Sequence, residues 1–171
     1  MNYELFLVNN SDIYSFKDKL IAYLKEAELD VQARKYETTD YTYFHLGCTL
    51  FDINIDIAGK DFEEDTEEEI KLCRKYYGVE INTSLHIFLY SKTFNPEGWI
   101  KLLHFLSKIL NSTNDDLLLL DDTSFPVLKR TNNKLMVNNK LDEYNQKYIT
   151  EEKLKNLNYP YSFQIFKNEN E

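Results

Sequence analysis

The sequence predicts an α+β protein of two layers, a mostly antiparallel sheet with two main helices on one face. Three observations predict it. Strand-like and helix-like stretches alternate along the 171 residues, two segments carry apolar residues at helical spacing, and several short segments alternate apolar with polar residues. At 43% hydrophobic and 15% aromatic residues, the chain is rich enough in apolar area to build a core and is not a disordered one. Four glycines and three prolines are too few for a Gly-rich linker or a turn-dense barrel.

The elements follow in order. Tyr3–Val8 reads as a strand, and a helix follows for which Ser15 is the expected cap, with Asp18 three residues on. Phe16, Leu20, Leu24 and Ala27 recur at spacings of four, four and three, one face of a 3.6-residue period. Val31 to Tyr36 and Tyr41 to Leu46 read as strands joined through Thr38, Thr39 and Asp40. In Phe51–Ile57 the apolar Phe51, Ile53, Ile55 and Ile57 alternate with Asp52, Asn54 and Asp56, which sends one set to the core and the other to solvent. A metal site on that polar row needs further ligands from other elements, so an ordinary solvated face is the favoured reading.

Beyond Gly59, Asp61, Glu63, Glu64, Asp65, Glu67, Glu68 and Glu69 place seven acids in nine residues. Thr66 and Glu69 form a T-x-x-E cap, predicting a short helix over Glu67–Tyr77 that stops at Gly78. Ser84–Tyr90 reads as a strand. Asn95, Pro96 and Glu97 then supply a cap, a first-turn proline and a first-turn acid to a helix with a broad stripe of Trp99, Leu102, Leu103, Leu106, Ile109 and Leu110. Strands follow at Leu117–Leu120, Pro126–Lys129 and Leu135–Val137, the last two joined by an Asn132–Asn133 hairpin turn. Lys129, Arg130 and Lys134 read as a solvated hairpin tip.

Residues 1–138 are expected to form one α+β domain, and the polar residues 139–171 an extension packed on it, with a short helix near Glu151–Leu157 and an edge strand at Ser162–Phe166. The two halves each run strand, helix, strands, an order that a ferredoxin-like pair of βαβ repeats would satisfy. No secretory signal is read at the start, no run of about 18 apolar residues occurs, and Cys48 and Cys73 read as buried free thiols, so a cytoplasmic protein is expected.

Catalytic signatures fail in turn. The chain has no G-x-S-x-G, no phosphate-cradling G-x-x-x-x-G-K-[ST], no H-E-x-x-H and no C-x-x-C. His45, His86 and His104 are scattered and read as structural; a Cys48–His86 nucleophile requires a proximity that spacing does not give. A net charge of -9 disfavours direct nucleic-acid binding. No enzyme, cofactor or metal is expected.

From Tyr77 onward the chain carries a recognisable order: Tyr77 to Asn82, the strand Ser84–Tyr90, the helix from Pro96, then Asp116 to Leu120, Pro126 to Arg130 and Lys134 to Asn138. This resembles the immunity proteins paired with Sit-type contact-dependent toxins, a branch of the bacterial polymorphic-toxin immunity proteins. Where that pattern leads one to expect a glycine-containing turn, this chain has Asp121, Asp122, Thr123 and Ser124. The resemblance implies a cytoplasmic antidote that binds one cognate toxin domain and needs no cofactor.

Charge offers a mechanism for such binding. Toxins that cut nucleic acid are commonly basic, and an acidic inhibitor is steered onto a basic cleft. The partner-binding residues are then Asp61, Glu63, Glu64, Asp65, Glu67 and Glu68, joined by the Asp52 and Asp56 row, with Tyr76 and Tyr77 as aromatic anchors. A plainly solvated acidic segment is the competing reading of the run. Two other functions stay open: a small-molecule-binding α+β module with a pocket between helix and sheet, and a non-catalytic adaptor subunit.

Overall fold

The computed structural model describes residues 2–37, 42–57, 60–90, 96–143 and 145–166, with the side chains of 51, 53–57, 60–66 and 96 outside the description. Among the described residues nine strands form one sheet, mostly antiparallel. They are β1 (Asn2–Leu7), β2 (Val31–Glu37), β3 (Thr42–Cys48), β4 (Phe51–Ile57), β5 (Thr83–Leu89), β6 (Leu117–Asp121), β7 (Pro126–Thr131), β8 (Lys134–Asn138) and β9 (Tyr161–Gln164). The order across the sheet is β2-β3-β4-β5-β1-β6-β7-β8-β9, and the β8–β9 pairing is parallel. Three long helices accompany it: α1 (Ile13–Glu26), α2 (Lys60–Tyr77) and α3 (Pro96–Ser112). Two single-turn helices, α4 (Asn145–Tyr148) and α5 (Glu151–Leu154), precede a 3-10 turn at Lys155–Leu157. The α+β class is as the periodicities predict.

Alternation along the strands separates two cores. Tyr3, Leu5 and Leu7 of β1, with Leu117 and Leu119 of β6, join the apolar stripes of α1 and α3 in the larger one. Phe16, Leu20, Leu24 and Ala27 are all buried there, as are Trp99, Leu102, Leu103, Leu106, Ile109 and Leu110. The Tyr3 and Trp99 rings meet at 5.1 Å. Phe6, Leu118 and Leu120 point the other way and meet Ile70 and Cys73 of α2, with Val79 and Ile81, in a smaller second core. The sheet therefore has α1 and α3 on one face, as expected, and a third long helix on the reverse, so the fold is locally three layers deep.

The topology departs from a ferredoxin-like pair. The two opening strands, β1 and β5, lie side by side and antiparallel, and β1 is inserted between β5 and β6. β1 and β2, the ends of the first strand–helix–strand unit, are separated by three strands. Three local expectations are also corrected. Asp12, not Ser15, caps α1, accepting from the amides of Tyr14 and Ser15 at 2.9 and 3.1 Å. α2 begins at Lys60, so Thr66 lies inside the helix and the acidic run fills its first half, with Arg74 and Lys75 in the last turn. That charge order follows the helix dipole. Gly78, at φ +61, ends the helix in the left-handed conformation.

Arg130 is the third correction. It is fully buried rather than solvated, and it donates to the main-chain carbonyls of Leu110 and Asp115, each at 2.7 Å. Leu110 lies in the last turn of α3, so the guanidinium meets the negative end of that helix. The hairpin tip is Asn132 and Asn133, at φ +50 and +59, the left-handed pair a two-residue turn requires. Ile149, Leu154 and Leu157 from residues beyond 138 are buried in the larger core, and β9 adds an edge to the sheet. Among the described residues no helix is long and apolar enough to cross a membrane.

Candidate functional site

The reverse face of the sheet is apolar beneath the second half of α2, around Phe6, Leu118 and Leu120. Toward β2 it turns polar. In register, Arg34 of β2 stands opposite His45 of β3, His45 opposite Asn54 of β4, Asn54 opposite His86 of β5, and His86 opposite Glu4 of β1. Residues opposite one another share a face, so these five form one row across five strands. The next row holds Gln32, Gly47, Asp52 and Phe88. Tyr36 and Tyr43 stack on the same side, with ring centroids 4.7 Å apart.

Two carboxylate–histidine contacts stand on this face. Glu4 Oε1 lies 3.6 Å from His86 Nε2 and has no hydrogen-bond partner among the described residues. Burial pushes the Glu4 carboxyl up to about 8, helped by the charge of Glu69 on α2. Asp52 is the second centre. Its Oδ1 lies 3.4 Å from His45 Nε2, and Tyr90 donates its hydroxyl to Oδ2. Burial, then the Asp52 hydrogen bond, pushes Tyr90 up to about 12, which keeps it a donor.

Asp52 and Tyr90 belong to a recess of about 440 Å³ rimmed by Asp30, Gln32, Arg34 and Thr49. Its lining is mostly polar, and it offers hydrogen-bonding groups rather than a nucleophile. Burial pushes both thiols, Cys48 and Cys73, up to about 12, far from the thiolate that nucleophilic chemistry needs. Both are free and buried, in different cores. Cys48 belongs to the larger core while His86 faces the reverse side, so the two do not meet. His104 is elsewhere, 3.0 Å from Asn156 Oδ1.

The sequence-predicted residues are distributed as follows. Asp52 is on the reverse face but mostly covered, its side chain 14% exposed, so it is not the solvated residue that strict alternation suggested. Asp56 pairs in register with Tyr43; its side chain, and those of Asp61, Glu63, Glu64 and Asp65, lie outside the described residues. Glu67 and Glu68 are exposed on α2, with Glu67 3.3 Å from Lys71. Tyr76 is half-buried beneath Lys75, whose Nζ lies 5.3 Å from the ring centroid. Tyr77 packs against the second core. Acidic residues and tyrosines therefore sit at different ends of α2. His45, Tyr90, Gly47 and Glu4 were not singled out as partner-binding by sequence; each reads alone as an ordinary strand residue.

Comparison with known protein families, with curated proteins and with solved structures returned no match.

Proposed function

We propose that this chain is an immunity protein that binds and neutralises a cognate bacterial polymorphic-toxin domain, a basic nuclease being the fitting partner. The observation that carries the reading is the reverse face. A polar and tyrosine-bearing sheet surface lies beside a helix whose first half is acidic and whose Glu67 and Glu68 are exposed. Aromatic rings with polar tips and acidic groups are a suitable surface for a basic protein, and steering by the acidic helix speeds the encounter. The raised thiols support a binding role over a nucleophilic one.

The partner site on this reading comprises the acidic half of α2, Asp61 to Glu68, with the Asp52 and Asp56 row and the tyrosines Tyr76 and Tyr77. Co-expression with the toxin-like open reading frame encoded beside this chain tests it. Growth that depends on the chain is the expected result; no adjacent toxin, or no protection, overturns it. A second reading, a small-molecule-binding module, is favoured by the recess at Asp52 and Tyr90. A ligand-dependent rise in melting temperature without any protein partner would select it.

A further inference from the structure

We infer that the recess beside Gly47 is a receptor for a guanidinium group, which, on the immunity reading, an arginine of the basic toxin presents. The first observation is the glycine. Gly47 stands in the interior of β3, between Gln32 and Asp52 in register, and its backbone is not in the left-handed region. The conformation therefore does not require glycine; the space does. A Cβ there would come within 3.2 Å of Asp52 Oδ1 and 3.4 Å of His45 Nε2. The missing Cβ lets the Asp52 carboxylate and the His45 ring close over the β3 backbone at the recess wall, so a side chain at 47 would displace them.

The second observation is the state of Asp52. Tyr90 satisfies one carboxylate oxygen, while Oδ1 is buried, has His45 Nε2 at 3.4 Å, and accepts no hydrogen bond among the described residues. A carboxylate short of donors favours a cation in the space beside it. The rim supplies further acceptors in Asp30, Gln32 and Thr49, and a planar donor-only group matches such a ring of oxygens. Arg34 is the opposing element. It is exposed on β2 and repels an incoming cation.

N-acetyl-L-arginine amide, titrated against the full chain and followed by the amide signal of Gly47, tests the receptor, with the glutamine analogue as the uncharged control. A saturable shift with the arginine probe alone is expected. Gly47→Ala should abolish it, and Asp52→Asn should weaken it by about tenfold. Arg34→Gln should tighten binding by about threefold, a gain that misfolding cannot imitate. A flat titration, or equal affinity in Gly47→Ala, overturns the receptor. Against the toxin, Gly47→Ala should loosen the complex by about tenfold at unchanged melting temperature. Growth rescue with an unchanged complex would sink the arginine assignment and leave immunity standing. Failed rescue by the wild-type chain would sink immunity, while the probe titration still decides the receptor.

Discussion

Glu4 sits on β1 between two core residues, Tyr3 and Leu5, facing α2 on the other side of the sheet. Glu69, Ser84, Cys73 and His86 surround it. Its carboxyl ionises at about 8 in the folded chain against 4.5 in the free residue. Between those values the unfolded chain gives up the proton and the folded chain keeps it, so stability falls as pH rises through the window and levels off above it. Glu4→Gln should flatten that fall in denaturant titrations run from pH 4.5 to 8; an unchanged slope would contradict the burial argument. Asp121 shows a second residue-scale device. It replaces the expected glycine turn by accepting from the amides of Thr123 and Phe125 and from Asn145 Nδ2, at 2.9, 2.9 and 2.7 Å. Ser124 then carries the left-handed φ of +61. Ser124→Gly should stabilise by about 0.5–1 kcal/mol in chemical denaturation, since the L side chain bears the strain; a loss would show that the hydroxyl matters more. Neither device is legible in sequence, because both depend on which strand or helix lies opposite.

At the scale of elements, the strands and the two core helices were legible because each carries its own period. Phe51–Ile57 alternates without a break, and Phe16, Leu20 and Leu24 fall on one helical face, as the buried set confirms for α1. The start of α2 was not legible. Its first turns bring acids rather than a repeating apolar stripe, and Thr66 with Glu69 imitates a cap in mid-helix. Likewise Asp12 and Ser15 both suit a cap, and geometry selected Asp12, to which Ser15 also donates its hydroxyl at 2.6 Å. The basic hairpin misled for a different reason: charge reads as solvated unless a buried acceptor is known. Arg130 has two, the carbonyls of Leu110 and Asp115, and the Tyr159 ring lies 5.7 Å away. Arg130→Met keeps the volume but strips donors from both carbonyls, so unfolding free energy should drop by about 3 kcal/mol. A change under about 1 kcal/mol would mean that the guanidinium is a tolerated guest rather than the cap of α3.

Across the whole molecule, the candidate site is a product of topology. β2, β3 and β4 follow one another and bring residues 34 and 45 together locally, whereas β4 pairs with β5 across the intervening α2 and β1 inserts beside β5, so residues 86 and 4 join the row only through long-range pairing. β2 and β9 remain as the two edges of the sheet, and Arg34, Lys35 and Glu37 on β2 guard one of them against pairing with other chains. Seven of the chain's 29 acidic residues fall within residues 61–69 of α2, its densest run of negative charge. Replacing Glu67 and Glu68 by lysine should slow association with a basic partner by about tenfold at low salt and leave dissociation nearly unchanged. Stopped-flow mixing reads both rates, and unaltered association would remove these two acids from the encounter. The central claim is that this face binds one toxin domain, and calorimetric titration of the purified toxin domain into the purified chain tests it most directly. The account predicts one-to-one binding with a Kd of about 10 nM or tighter. No binding at concentrations of about 10 μM would contradict it.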